Sequence, residues 1–454
     1  MGVTVGQFRG WNVAGYLQDD WKMTSKFTLN LGLRYDFNNP PVDKNGHSAL
    51  YNLRLNKPIP GSWDTNYNDW GPRFGFAWNA MNKLVIRGGY GIYYAPIIYN
   101  GLQYELLWAP QFVVQTKSLD IANPVNTEDQ FGPSATGVSG YTIQKHLKDQ
   151  SAQEWNLNIE KSLNANTLLT VGYIGNVMRH EAAAINSNQA YARAPGVTSG
   201  PLTVTPQPLV GVVQTQANIY NANYNALAVS LQHQYAHGFQ VLANYTWSKA
   251  MDYVDGDNDD PADIYDLRLY YAPAAFDRTN NFLVSGIYDL PVGPGRRFAP
   301  RNGIVSNMIG GWRLSFIQQL ASGQPVSILA LNLSDPSGWA EYANKVCNPN
   351  KGFTRTRFNF FNPACFVQPP PGQYGSARNA VRQPGLYPTD LSLFKGFKIL
   401  GEQQLEMRLD GFNVFNHPVF GSVPSESITS PNLGQLTEEA SGLRTMQVSL
   451  RYSF

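Results

Sequence analysis

No stretch of this 454-residue chain approaches the ~18 consecutive apolar residues that a spanning helix needs, and mean hydropathy is −0.30, so a helical membrane protein is excluded. Charge of either sign is also scarce. Asp, Glu, Lys and Arg make up 15% of the residues, against roughly 25% in an ordinary soluble domain. With 34 basic and 32 acidic side chains the net charge is only +2, and a nucleic-acid partner is disfavoured. Cysteine is limited to Cys347 and Cys365, too few for a disulfide scaffold and without zinc-finger spacing. Both fall in one long loop, where they read either as a disulfide stapling that loop, which an oxidising compartment permits, or as two free thiols. Residues Met1 to Arg9 contain no basic segment followed by an apolar core, so no secretory signal is read there.

Aromatic residues, by contrast, are abundant: ten Trp, 25 Tyr and 23 Phe, 13% of the chain. An excess of Tyr and Trp suits a β-barrel with an aromatic girdle at each membrane interface. Hydropathy misses such a barrel, because its spanning strands are short and only half apolar. The last nine residues show the pattern: Met446, Val448, Leu450, Tyr452 and Phe454 share one face, and Gln447, Ser449, Arg451 and Ser453 the other. This is the form of a closing barrel strand, with Leu450, Tyr452 and Phe454 as candidates for a C-terminal signal read by the barrel-assembly machinery.

The same alternation recurs along the chain. Phe27, Leu29, Leu31, Leu33, Tyr35 and Phe37 oppose Thr28, Asn30, Gly32, Arg34 and Asp36. Strands are predicted at about 9–21, 27–37, 70–79, 83–94, 151–162, 167–177, 224–235, 239–249, 279–289, 311–321, 387–397, 402–413 and 442–454. Short turns such as 79–82, 163–166 and 236–238 alternate with long loops at 95–150, 178–223 and 322–386, taken as structureless; one connection, 290–310, is longer than a tight turn but keeps the parity. Compact soluble domains rarely carry such loops, whereas bacterial barrels have short periplasmic turns and long extracellular loops. Thirteen strands is an odd number, and single-chain bacterial barrels have even ones. Residues 1–454 are therefore expected to form the C-terminal part of a larger antiparallel transmembrane β-barrel.

Four segments resemble TonB-dependent outer-membrane receptors, particularly the Oar-like group: WNVAGYLQDDWKMTSKFTLNLGLRYDF (11–37), FDRTNNFLVSGIYDLPVGPGRRF (276–298), GGWRLSFIQQLASGQPVSI (310–328) and LDGFNVFNHPVFG (409–421). Within the last, Phe412-Asn413-Val414-Phe415-Asn416 is similar to the asparagine-leucine-phenylalanine signature near the end of many such barrels. The resemblance implies an outer-membrane location in a Gram-negative cell and a 22-stranded barrel of which thirteen strands are represented. It also implies a plug, a TonB box and a signal peptide, which are expected to be absent from residues 1–454. The implied partners are outer-membrane lipid, the barrel-assembly machinery, the TonB complex through the missing N-terminal part, and an unidentified ligand (saccharide, peptide or metal chelate) captured by the long loops. An extracellular binding or adhesion β-protein without active transport is the alternative.

No catalytic constellation is evident, so no enzyme, cofactor or metal is expected. His233 and His237 could chelate a metal on a helix, but at a strand end four residues span about 13 Å and a turn position is the expectation. Asp255, Asp257 and Asp259 have the alternate spacing that opens a calcium loop. The sixth position, however, is Asp260 rather than glycine, and a solvated extracellular loop is the preferred reading of 252–263. Gly88-Gly89-Tyr90-Gly91 and Gly293-Pro294-Gly295 lack nucleotide-binding spacing and read as a strand and a turn.

Overall fold

The computed structural model describes residues 7–46, 48–54, 57–95, 138–207, 210–256, 261, 263–293, 296, 298, 308–334, 341–352, 354–399, 402–420, 426–436 and 439–454. Its main sheet follows a path of thirteen strands in chain order, every neighbouring pair antiparallel. They are β1 (Asn12–Lys22), β2 (Phe27–Asn38), β3 (Trp70–Met81), β4 (Leu84–Ala95), β5 (Gln150–Asn164), β6 (Thr167–Asn186) and β7 (Val210–Ala236). The path continues through β8 (Phe239–Asp252), β9 (Asn280–Asp289), β10 (Trp312–Ala321), β11 (Thr389–Lys398), β12 (Gln404–Phe412) and β13 (Thr445–Ser453). Each coincides with a strand predicted from alternation.

Register carries that alternation across the sheet. Leu29, Leu31 and Leu33 of β2 pair with Phe76, Phe74 and Pro72, whereas Asn30 and Gly32 pair with Gly75 and Arg73. At the other end Leu405, Met407 and Leu409 face Tyr452, Leu450 and Val448, while Glu406 and Arg408 face Arg451 and Ser449. One side is therefore apolar over the whole width, although Leu17, Leu31 and Val448 on it are 78%, 44% and 64% exposed. So much exposed apolar surface is untenable in water and suited to lipid. Aromatic pairs bound this face at both ends, Phe27 with Trp78 and Phe239 with Tyr288 at one, Tyr35 with Trp70 at the other. The eight residues from Phe27 to Tyr35, at about 3.4 Å each, put these bands roughly 27 Å apart along the strand. With a tilt of about 40° that becomes roughly 20 Å of membrane depth, near the ~25 Å apolar belt of outer-membrane barrels. Two glycines on this face lie beneath aromatic rings: a Cβ at Gly175 would sit 2.2 Å from the Trp155 ring, and one at Gly88 2.5 Å from Phe76.

Connections at one end of the strands are tight except that between β9 and β10, which runs from 290 to 311. His237 and Gly238 both have positive φ (53° and 82°), as a two-residue hairpin with the twist of its strands requires. At the other end the connections are long, and here the structure differs from the sequence reading. Strands β6 and β7 pair as far out as Asn186 and Gln214, so much of 178–223 is strand rather than loop. A bulge at His180 (φ 58°) divides their spanning halves from this extension. Beyond it both faces are covered, leaving Ala183, Ala184, Val213, Ala217 and Tyr220 buried, so the side chains no longer alternate between lipid and water. Within 95–150, Val138–Ile143 forms a strand parallel to β7, and residues 96–137 lie outside the described part.

Nor is the 322–386 connection structureless. Short strand pairs bring Pro325–Val326 to Val381–Arg382, Leu329–Ala330 to Glu341–Tyr342, and Asn344–Lys345 to Phe366–Val367. Around them the largest apolar core among the described residues gathers Val326, Ile328, Phe361 and Phe366 with Leu433 and Leu436 from the 413–444 connection. Two loops thus fold into one cap. Cys347 and Cys365 are placed as a disulfide with Cα atoms 4.9 Å apart, and Cys365 lies in the cap core. A bond there is expected to withstand non-reducing peptide mapping, and Cys365→Ser to lower cap stability by about 2–4 kcal/mol. Alkylation of both thiols in the unreduced protein would contradict it.

Edges β1 and β13 are not paired with each other. Both run in the same direction, so mutual closure would be the sole parallel contact on an otherwise antiparallel path. In a bilayer their free N–H and C=O groups require partners.

Candidate functional site: the lumen mouth and its cap

The polar side of the sheet is a network of paired groups. Arg87 bonds Glu160 at 3.1 Å, Arg408 bonds Asp410 at 2.7 Å, and the Asn176 amide donates to Glu154 Oε1 at 3.1 Å. Over β1 to β5 this wall carries a shallow bay of about 270 Å³, floored by Gly32, Gly75 and Gly89 and edged by Asn30, Arg73 and Asn156. The Arg73 guanidinium stacks 4.6 Å above the Tyr93 ring. Beyond Glu154 and Asn156, shared by both hollows, a second cavity of about 400 Å³ opens against β5 to β8. Its body is Ile174, Met178 and Ala222, with Phe276 at its edge.

Phe276 is held there by its neighbours. Ala274 N–H bonds the Ala250 carbonyl at 3.1 Å, and the Asp277 carboxylate accepts from Ala250 N–H at 2.7 Å, tying 274–277 to the outer end of β8. Asp277 also accepts from Arg382 of the cap at 2.5 Å. Beside it Arg378, fully buried, donates to Asp252 Oδ1 at 2.6 Å and to the Asp252 and Tyr270 carbonyls at 3.0 and 2.9 Å, and lies 2.9 Å from Asp255. The Asn379 amide donates to both Asp255 oxygens. The cap is therefore fastened over the strand ends by a cationic latch. This corrects the reading of 252–263 as a solvated loop: Asp252 is buried, and Asp252 and Asp255 answer arginine. Asp257 and Asp259 lie outside the described residues, and no cluster of three or more potential metal ligands occurs among the described ones. His233 sits in β7, its Nδ1 2.8 Å from Thr167 Oγ1, and His237 occupies the turn, as expected.

Two carboxyls outside the membrane are tuned by their surroundings. Burial pushes Glu341 in the cap up to about 7 from its ordinary 4.5, although Leu333 N–H donates to it at 3.3 Å. Burial, then the adjoining Asp149 carboxyl, push Asp69 up to about 8. The folded state holds protons that the unfolded chain releases above the ordinary carboxylate range, so each contribution is complete at low pH and declines as pH rises toward the raised value. Cap stability is expected to fall between about pH 4.5 and 7, by roughly 3 kcal/mol at most through Glu341. Glu341→Gln should flatten that part of the profile, measured as protection of 322–386 from proteolysis; an unchanged slope would contradict it.

Leu450, Tyr452 and Phe454 lie on the apolar side of β13 and its end, Leu450 opposite Met407 and Tyr452 opposite Leu405. The rings of Tyr452 and Phe454 are 5.8 Å apart.

An antiparallel sheet with one lipid face, one polar luminal face, tight turns at one end and a folded cap at the other defines an outer-membrane β-barrel wall. Residues 2–447 match the family described as outer membrane beta barrel domain, and the chain belongs to that family. It is similar to the TonB-dependent transporter Oar of Myxococcus xanthus, 25% identical over 277 residues, which is 52% of this chain and 23% of that protein. Among solved structures it resembles the outer membrane transporter YddB from Escherichia coli, with TM-score 0.52, 12% identity, and coverage of 97% of this chain and 44% of that one. The siderophore receptor PirA from Acinetobacter baumannii aligns less closely, with TM-score 0.48, 12% identity, and coverage of 98% of this chain and 46% of that one. The chain thus spans under half the length of these relatives, which are transporters and receptors rather than enzymes. Its place is the Gram-negative outer membrane.

Proposed function

We propose that residues 1–454 form the C-terminal portion of the barrel of a TonB-dependent uptake receptor, further strands supplying the partners that edges β1 and β13 lack. Ligand is captured between the extracellular loops and the luminal hollows and released inward when the TonB complex acts on the N-terminal part of the receptor. The observation that carries this reading is the 400 Å³ luminal cavity set directly beneath a latched extracellular cap, on a chain similar to a TonB-dependent transporter. Deleting the gene and deleting tonB are expected to impair growth on the same nutrients in a nutrient array. A growth or surface-attachment defect that depends on this gene but not on tonB would overturn the reading in favour of adhesion.

Assembly is proposed to rest on Leu450, Tyr452 and Phe454, presented on the open edge strand to the barrel-assembly machinery. Removing Phe454, 94% exposed and with its ring beside that of Tyr452, is expected to lower the heat-modifiable fraction in outer membranes several-fold. Normal assembly of that variant would exclude the role.

A further inference from the structure

The luminal cavity beside Phe276 has a chemical character that the uptake reading leaves open. Among its described lining residues there is no Lys, Arg or His. Its two carboxylates differ in state. Asp252 is neutralised by Arg378, whereas Glu154 accepts from Asn176 and makes no ion pair among the described residues. Arg73, the nearest cation of the adjoining bay, is stacked on Tyr93 across the shared Glu154 and Asn156 wall. The remaining lining is mainly apolar and polarisable, and includes Ile174, Met178, Ala222 and Phe276, a residue 65% exposed and so available to a guest. A volume of about 400 Å³ lies in the range of small-molecule sites.

We propose that this cavity binds a small amphipathic ligand with a flat apolar body and an amine, in preference to an anion, with Phe276 and Met178 contacting the body and Glu154 the amine. The preference follows from sign. A carboxylate at the rim attracts an ammonium and repels a carboxylate, so the charge of the headgroup sets the order among ligands that share one body. Aromatic and thioether side chains contact a ring through its face or edge, and Phe276 and Met178 both line the cavity.

The proposal rests on the uptake reading for its purpose but is tested separately, with the full-length receptor in nanodiscs and three probes sharing one indole body: tryptamine, tryptophol and indole-3-acetate. Binding is expected to weaken in that order at pH 7, with indole-3-acetate at least roughly tenfold below tryptamine. Glu154→Gln should bring tryptamine down to tryptophol while leaving tryptophol unchanged; Phe276→Ala should weaken all three. Both positions are exposed, so neither change threatens the fold. Equal or tighter binding of indole-3-acetate, insensitivity of tryptamine to Glu154→Gln, or no binding of any probe overturns the proposal. These outcomes do not touch tonB dependence, so the proposal can fail while the uptake reading stands. Conversely, the expected order in a protein whose growth phenotype ignores tonB retains the site and removes the transport role.

Discussion

Arg378→Ala is expected to release the cap from the barrel mouth while leaving the barrel assembled. The guanidinium is buried and bridges Asp252, Asp255 and the Tyr270 carbonyl. Its removal strands the buried Asp252 carboxylate and breaks bonds between segments more than a hundred residues apart. Truncating one partner of a buried pair costs about 3–5 kcal/mol, chiefly because the remaining charge stays out of water. Arg378→Lys should rescue only partly, since a single ammonium cannot reproduce the planar fork that meets a carboxylate and two carbonyls together. Hydrogen exchange is the direct readout: faster exchange across 322–386 and normal exchange in β8 and β10. Unchanged protection of the cap would show that its apolar core, rather than the latch, holds it in place.

Leu231→Arg is expected to be far more damaging to membrane assembly than Ser230→Arg, although the two residues adjoin on β7. Leu231 lies on the apolar face between Leu169 and Ala243; Ser230 faces the lumen between Thr170 and Asn244. Leu231 is about five residues from the periplasmic turn, near the middle of a spanning segment of ~9–11 residues. An arginine facing lipid there costs about 2–4 kcal/mol, whereas one facing an aqueous lumen alters its charge at little cost. The difference should appear as a lower urea midpoint for folding into vesicles for Leu231→Arg alone. Equal effects would mean that the two faces do not meet different solvents.

The contrast between these sites marks what the sequence made legible. A spanning strand lies between lipid and lumen, so its own residues record both surroundings at period two, as Leu405 to Asp410 do. The membrane-spanning parts of all thirteen strands were therefore readable within a few residues. The outer halves of β6 and β7 were not, because above the His180 bulge both faces are covered and Ala183, Ala184 and Ala217 answer to packing instead. The cap was invisible for a related reason. Its core joins Val326 to Leu436, and its latch joins Arg378 to Asp252, through contacts that leave no periodic trace. The acidic run 252–263 was read as solvated because Arg378, which answers its Asp252 and Asp255, lies more than a hundred residues further along the chain. A run of cap sequence from Tyr342 to Thr389 with six Lys or Arg and no Asp or Glu was the one available hint of a docking partner for those acids.

Spin labels along β12 test most directly whether the sheet is a barrel wall with lipid on one side and an aqueous lumen on the other. Single labels at Leu405, Glu406, Met407, Arg408 and Leu409, in the receptor reconstituted into bilayers, would be compared for collisions with oxygen and with a polar nickel reagent. Oxygen accessibility is expected to peak at Leu405, Met407 and Leu409, and nickel accessibility at Glu406 and Arg408. Uniform access of the nickel reagent to all five positions would contradict a membrane-spanning strand and with it the barrel.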